Sequence, residues 1–278
     1  MPQPPVLREI LLTPRLLLMT LGGDAMLTSW GANCLALAGR DGTLVVDPLI
    51  APAHARLVEA ALARRGFPPV RHVALTHHHT DHALGAGYFA ARGATVICHA
   101  RCAAAMAAQH PGMLASRRRD PALAPLFADA EPYAPGDTFD SGREVDLGDV
   151  GASIRHLGHG HTPGDAVVVF ASEEVAATGD LVFHGYHFNY EEADRAALPA
   201  RLDALSALPV SRFVPGHGAP GGREILEEQA RYHAEVARLV GAAATAEEAR
   251  AAVLSRFPGL ALEMAVESAV VAHRRGRS

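Results

Sequence analysis

The sequence predicts an α/β fold in which two sheets pack against each other with helices outside. Short apolar runs with strand character alternate with helical stretches, separated by glycine- and proline-rich turns, and the order of strands followed by helices occurs twice along the chain. At 278 residues the chain can bury a substantial core, either as one large domain or as two small ones. Periodicity by itself leaves an ordinary doubly wound sheet open as the alternative.

The elements are read in order as follows. Residues 16–21 and 33–38 are strand-like, and a turn at 39–42 leads into a strand at 43–47. Residues 52–65 have helical spacing and stop at Gly66, after which 70–75 form an apolar strand that runs straight into Thr76–His82. A helix at 83–92 ends at Gly93, a strand follows at 95–98, and an alanine-rich helix covers 101–109. Residues 110–135, with their prolines and the Arg117–Arg119 run, are expected to be a surface excursion bordering the active site. Strands return at 154–157, 166–170 and 175–177; 198–208 is helical, 213–214 a short strand, and 224–240 a long amphipathic helix. Thr245 is placed to cap a further helix, a break falls at Pro258 and Gly259, and a last helix ends in basic residues.

Composition excludes several functions. A formal charge of −5 makes nucleic acid a poor partner, because phosphate binding requires a basic surface. All 25 basic residues are arginine, so Schiff-base, P-loop and lysine-base chemistry are absent. No apolar run approaches the roughly 20 residues that span a bilayer, and the first 24 residues lack the order of a signal peptide. A cytoplasmic chain with no membrane partner is expected. Cys34, Cys98 and Cys102 are odd in number, lack CxxC spacing and are expected to be buried thiols.

The informative stretch is Thr76-His77-His78-His79-Thr80-Asp81-His82, just past an apolar strand. In extended backbone, residues two apart point the same way, so His77 and His79 can clamp one ion. Asp81 and His82, at the turn into a helix, can face a second ion, and imidazole with carboxylate suits Zn²⁺ and also Fe or Mn. Three later segments repeat the pattern of a strand followed by glycine and a metal-type side chain: Gly158-His159-Gly160-His161-Thr162-Pro163-Gly164-Asp165, Thr178-Gly179-Asp180, and Pro215-Gly216-His217. Metal-type residues at successive strand ends are where α/β active sites assemble.

This series, together with Asp47, resembles the metallo-β-lactamase-fold superfamily over roughly residues 16–240. The resemblance implies a four-layer αββα sandwich over residues 1–240, with 241–278 as a helical extension packed on the same domain. It implies two Zn²⁺ ions, with Fe or Mn as alternatives. His77, His79 and His161 would hold the first metal, Asp81, His82 and His217 the second, with Asp180 bridging and Asp47 hydrogen-bonding nearby to orient a ligand. His161 is preferred to His159 because the family's ligand directly precedes Thr-Pro-Gly; His159 is then a pocket neighbour or a loop residue, and His78 points away from the metals. Such a centre lowers the pKa of a bound water to about 7, giving a hydroxide nucleophile, and Asp81 is the candidate to orient it and take its proton.

Asp180 stands where one lactamase subclass carries cysteine, and the lysine that often holds the substrate carboxylate there is missing. The resemblance is closer to the glyoxalase-II, lactonase and thioesterase branches. His79, where the flavodiiron oxygen reductases carry glutamate, disfavours redox chemistry, and no added nuclease module is visible. The expected activity is cleavage of a small-molecule ester, thioester or lactone. The alternatives are β-lactam hydrolysis and, from another class, a catalytically weak metal-binding sensor. His184, Tyr186 and His187, shortly after Asp180, are the expected substrate wall, with His159 beside them.

Overall fold

The computed structural model of the chain describes residues 6–274. Its first sheet opens with β1 (Arg8–Leu11), β2 (Leu16–Thr20), β3 (Asn33–Gly39) and β4 (Gly42–Val46), each antiparallel to the next. Helix α1 (Pro52–Arg64) has proline in its first turn, where the missing N–H has no helical partner to lose. It crosses over to β5 (Val70–Ala74), parallel to β4. The short helices α2 (Thr80–Ala83) and α3 (Ala86–Ala90) then lead to β6 (Thr95–His99), the long α4 (Ala100–Arg119), α5 (Ala124–Phe127) and β7 (Asp137–Phe139). The seven strands lie in chain order.

The second sheet holds β8 (Gly142–Asp146), β9 (Gly151–Arg155), β10 (Val167–Phe170), β11 (Val175–Phe183) and β12 (Arg212–His217), antiparallel except for the β11–β12 pair. Helix α6 (Leu198–Ser206) makes that crossover, and α7 (Glu224–Ala242), α8 (Ala246–Arg256) and α9 (Val266–Arg274) follow.

Alternation of side chains along each strand explains the layering. Leu16, Leu18, Leu35, Leu37, Leu44 and Val46 meet Val168, Phe170, Val175 and Ala177 between the sheets. Their chain neighbours Leu17, Met19, Ala36 and Val45 face the other way, onto Ala55, Val58 and Leu62 of α1. Val167, Val169, Ala176 and Phe213 likewise pack beneath Leu202 and Leu205 of α6 and Ile225 and Leu226 of α7. The result is the αββα sandwich, with two helical layers enclosing two sheets. Helices α8 and α9 close against Tyr232 and Val236 of α7 and against Phe183 and Phe188.

Several boundaries differ from the sequence reading. Strands β1, β7 and β8 were not expected; β8 reads Gly-Arg-Glu-Val-Asp with only Val145 buried, so it carries little apolar pattern. Strand β11 runs on to Phe183 rather than stopping at residue 177, through register shifts at Gly179 beside β12. The helix expected at 83–92 begins earlier, at Thr80, and is broken at Leu84–Gly85, where Gly85 leaves no room for a Cβ beneath the Pro48 carbonyl. Helix α4 does not end at residue 109 but continues through Pro111 to Arg119, so the 110–135 segment is helical over its first ten residues. Proline removes one helical hydrogen bond, and the buried side chains of Leu114 and Arg117 hold the following turns against the protein. Thr245 caps α8 as a full capping box, its hydroxyl accepting from Glu248 N at 3.1 Å. The basic end of the last helix lies largely outside the described residues. Cys34, Cys98 and Cys102 are buried free thiols, and among the described residues no helix is long and apolar enough to cross a membrane.

Candidate metal centre

The centre is assembled on loops at one edge of both sheets. At the end of β4 the backbone of Asp47 is left-handed (φ 55°), which swings its carboxylate across to the next strand's exit. Its oxygens accept from Thr76 N at 2.8 Å, Thr76 Oγ1 at 2.6 Å and His82 Nδ1 at 2.9 Å, so one side chain clasps both ends of the Thr76–His82 segment. With the Thr76 hydroxyl proton committed to Asp47, its lone pair accepts from His77 Nδ1 at 3.0 Å. On the second sheet, Asp165 folds the loop after β9, accepting from the backbone N–H groups of Gly160, His161 and Thr162 and from the Thr162 hydroxyl at 2.7–3.1 Å. Burial pushes the Asp165 carboxyl up to about 6, against the lowering effect of these donors. His161 Nδ1 donates to Asn189 O at 3.1 Å, and His217 Nδ1, at the end of β12, donates to Trp30 O at 3.0 Å. Each anchored Nδ1–H leaves the Nε2 lone pair free and aimed inward.

Two sets of donor atoms converge there: His77, His79, His161 and Asp180 in one, Asp81, His82 and His217 in the other. Asp180 touches both. Its Oδ2 lies 3.6 Å from His77 Nε2 and 3.4 Å from His161 Nε2, while its Oδ1 lies 3.2 Å from His82 Nε2 and 3.5 Å from His217 Nε2. Within the sets, His161 Nε2 is 2.9 Å from His79 Nδ1, His82 Nε2 is 3.2 Å from His217 Nε2, and Asp81 Oδ2 is 3.2 Å from His217 Nε2.

These separations test whether a metal ion fits. Donors placed about 2.1 Å from a common tetrahedral centre stand about 3.4 Å apart, within the 2.9–3.6 Å range observed. Nδ1 of both His82 and His217 is committed as a donor, so their Nε2 atoms meet lone pair to lone pair, a repulsive contact unless a cation or a proton lies between them. His77 Nε2 and Asp180 Oδ1 are buried with no hydrogen-bond partner. The donor set therefore fits divalent metal binding. Burial alone would raise the Asp180 carboxyl, but the imidazoles of His217, His82 and His77 hold it well below the usual carboxylate range. Burial drives the His77 imidazole down, to the neutral form that a metal requires.

The other residues singled out from the sequence lie elsewhere. His159 Nε2 is spent on Glu192 O at 2.7 Å, outside both donor sets, and His78 Nε2 turns to Glu192 Oε1 at 3.1 Å. The expected wall of His184, Tyr186 and His187 is corrected by the fold. Beyond Phe183 the chain turns at Gly185 (φ 80°), and Tyr186 packs behind a donor, its ring 5.5 Å from that of His217, rather than facing the cleft. His184 Nδ1 donates to Ala219 O, Tyr186 Oη donates to Gly23 O, and His187 is wholly buried against Tyr232. His184 and Tyr186 instead line a separate depression beside α7.

The cleft that opens onto His79, Asp81, Asp180 and His217 has a volume of about 350 Å³ and is walled by Trp30, Met113, Arg117, Phe183, Leu262 and Met264. Sequence reasoning missed these walls, apart from expecting the 110–135 segment at the border. Trp30, and the Thr76, Asn189 and Glu192 contacts, carry no local motif.

Comparison with known proteins agrees with this geometry. The family model of the metallo-beta-lactamase superfamily matches residues 27–217. A hydroxyacylglutathione hydrolase of Acidiphilium cryptum is 35% identical over 220 residues, covering 77% of this chain and 74% of the relative. Among solved structures, a metallo-beta-lactamase from Pontibacter korlensis superposes with a TM-score of 0.70 at 18% identity, covering 82% of this chain and 99% of its own. The metallo-beta-lactamase FIM-1 from Pseudomonas aeruginosa, in its mono-zinc form, gives 0.64 at 20% identity, covering 82% of this chain and 95% of its own. From the fold, the two donor sets and these likenesses together, the chain belongs to the metallo-β-lactamase superfamily and is a metallo-hydrolase.

Proposed function

We propose that the protein is a two-metal hydrolase, with zinc the native ion, that cleaves small-molecule thioesters and related esters or lactones. The observation that carries this reading is Asp180, whose two oxygens each face a different set of imidazoles at 3.2–3.6 Å. His77, His79 and His161 would hold one ion, Asp81, His82 and His217 the other, and Asp180 both. Ions held there would supply a bound water with a pKa of about 7 and a Lewis acid for the scissile carbonyl. Asp81, its Oδ2 beside His217 and at the cleft floor, orients the attacking water and accepts its proton. Asp47 keeps His82 and the Thr76 turn in place.

The thioester preference draws on the relative named hydroxyacylglutathione hydrolase. The likeness to the named β-lactamases, below 25% identity, bears on fold alone. Three buried free thiols suit a reducing, cytoplasmic setting. The described part of the C-terminal extension, residues 241–274, belongs to the same catalytic unit in this reading, because Leu262, Met264, Glu267 and Ser268 border the cleft.

Metal analysis combined with a substrate panel tests the proposal. The purified chain should carry close to two zinc ions, and a chelator should abolish turnover that zinc or manganese restores. Thioester, ester and lactone rates should exceed β-lactam rates. Full activity in a metal-free sample, or a β-lactam as the preferred substrate, would sink it.

A further inference from the structure

Arg117 stands out among the groups bordering the cleft. It is 8% exposed and lies on α4, two helical turns beyond Pro111. Its guanidinium offers five N–H donors. One hydrogen bond is made, from Nη2 to Thr80 Oγ1 at 2.7 Å, while Nη1 is buried with no partner. Among the described residues no carboxylate lies within ion-pair distance of it, whereas its neighbour Arg118 is held by Phe127 O, Ala130 O and Glu131. The plane is fixed by aromatic faces, with Cζ 5.1 Å from the Phe127 ring and 5.9 Å from that of Trp30. Among the described residues it is the only arginine lining the cleft, in a chain without lysine.

A buried cation hydrogen-bonded only to a neutral hydroxyl is unfavourable; the Asp81 carboxylate acts on it from beyond ion-pair distance, and metal ions in the donor sets would add like charge. Holding Thr80 in the first turn of α2 does not explain the choice, since a neutral donor would serve a hydroxyl as well. A rigid guanidinium with free N–H groups beside a reaction centre is matched by an oxyanion. One unpaired positive charge balances one negative charge, which favours a carboxylate over a phosphate dianion. Trp30, Met113, Leu262 and Met264 supply apolar surface for the rest of the molecule.

Resting on the hydrolase reading above, we propose that Arg117 binds a carboxylate of the substrate, so that the molecules cleaved are anionic thioesters or esters with an apolar body. The proposal makes Arg117 the residue that sets specificity from an element outside the seven-residue donor set.

The test compares thioesters that end in a carboxylate with their carboxamide counterparts, the group being placed on the acyl side in one pair and on the thiol side in the other. In the metal-loaded wild type, one pair should favour the carboxylate by roughly ten- to a hundredfold in kcat/KM, mainly through KM. Arg117→Met and Arg117→Gln, the latter still able to hydrogen-bond Thr80, should reduce that ratio to about threefold or less, and Arg117→Lys should keep part of it. Calorimetric binding of a non-hydrolysable thioether with the same carboxylate should weaken in parallel. A wild-type ratio near one in both pairs overturns the proposal, and so does a preference that survives in Arg117→Met, which would mean that the metals read the carboxylate. If no thioester is cleaved but the thioether carboxylate binds in an Arg117-dependent way, the hydrolase reading falls and the anion site stands.

Discussion

Asp180 concentrates the chemistry of the site in one side chain. It sits on β11 with both oxygens in reach of imidazole nitrogens of four histidines on three segments, so its removal acts on both donor sets at once. Asp180→Ala should therefore lower metal content at both positions, whereas His217→Ala should chiefly empty the second. The histidine pair in the 158–165 loop offers an internal control. His161 Nε2 meets His79 Nδ1, while His159 is tied to Glu192 O, so His161→Ala should lose metal and His159→Ala should retain it. Metal analysis of the four variants checks this. Wild-type content in Asp180→Ala, or equal loss in both loop variants, would contradict the assignment.

At the level of elements, the site depends on β11 and β12 running side by side with almost no side-chain volume between them. Gly216 is the reason Asp180 fits. A Cβ there would collide with Asp180 Oδ1 and would stand 2.9 Å from the backbone carbon of Gly179. Gly216→Ala should displace the bridging carboxylate while the sandwich, held by the inter-sheet core, still forms. Misplacing a group by about an ångström in such a centre costs on the order of a hundredfold, so kcat/KM should fall by that much with metal content. Circular dichroism unchanged alongside loss of metal is the expected signature; wild-type metal and rate would show that β12 yields without disturbing Asp180.

For the whole molecule, several buried histidines outside the donor sets couple stability to pH. Burial lowers His54 to about 4 and His233 to about 3, the latter also opposed by the charge of His273. His233 Nε2 accepts from Gln229 while its Nδ1 donates to Tyr190, so a second proton would break the Gln229 contact. Both groups stay neutral in the fold but gain a proton in the unfolded chain below its ordinary value of about 6.5. The unfolded state thus binds more protons below pH 6.5, and stability is complete above that value and lost as pH falls toward 4. The shifts correspond to about 3 kcal/mol for His54 and about 5 kcal/mol for His233. His54→Leu should flatten the decline in unfolding free energy between pH 6.5 and 4 by a comparable amount, measured by urea titration at each pH. A slope identical to wild type would show that His54 does not contribute.

The metal-type residues were legible in the sequence because ligation is a property of the side chain itself, and a His-x-His-x-Asp-His run after an apolar strand declares its chemistry locally. The layering was legible in part, since continuous apolar runs such as Leu16–Met19 and Val167–Phe170 need cover on both faces, while which residue faces the other sheet appeared only in the fold. The walls of the cleft were not. Trp30, Arg117 and Met264 come from three distant stretches and meet only when the turn at Met26–Gly31, α4 and the C-terminal helices are packed. His184, Tyr186 and His187 follow Asp180 closely in the chain, yet past the turn at Gly185 none of them lines the cleft. Nearness in sequence carries no direction once a strand ends, so the sequence alone determined which atoms could bind metal, and only tertiary packing decided what stands across from them.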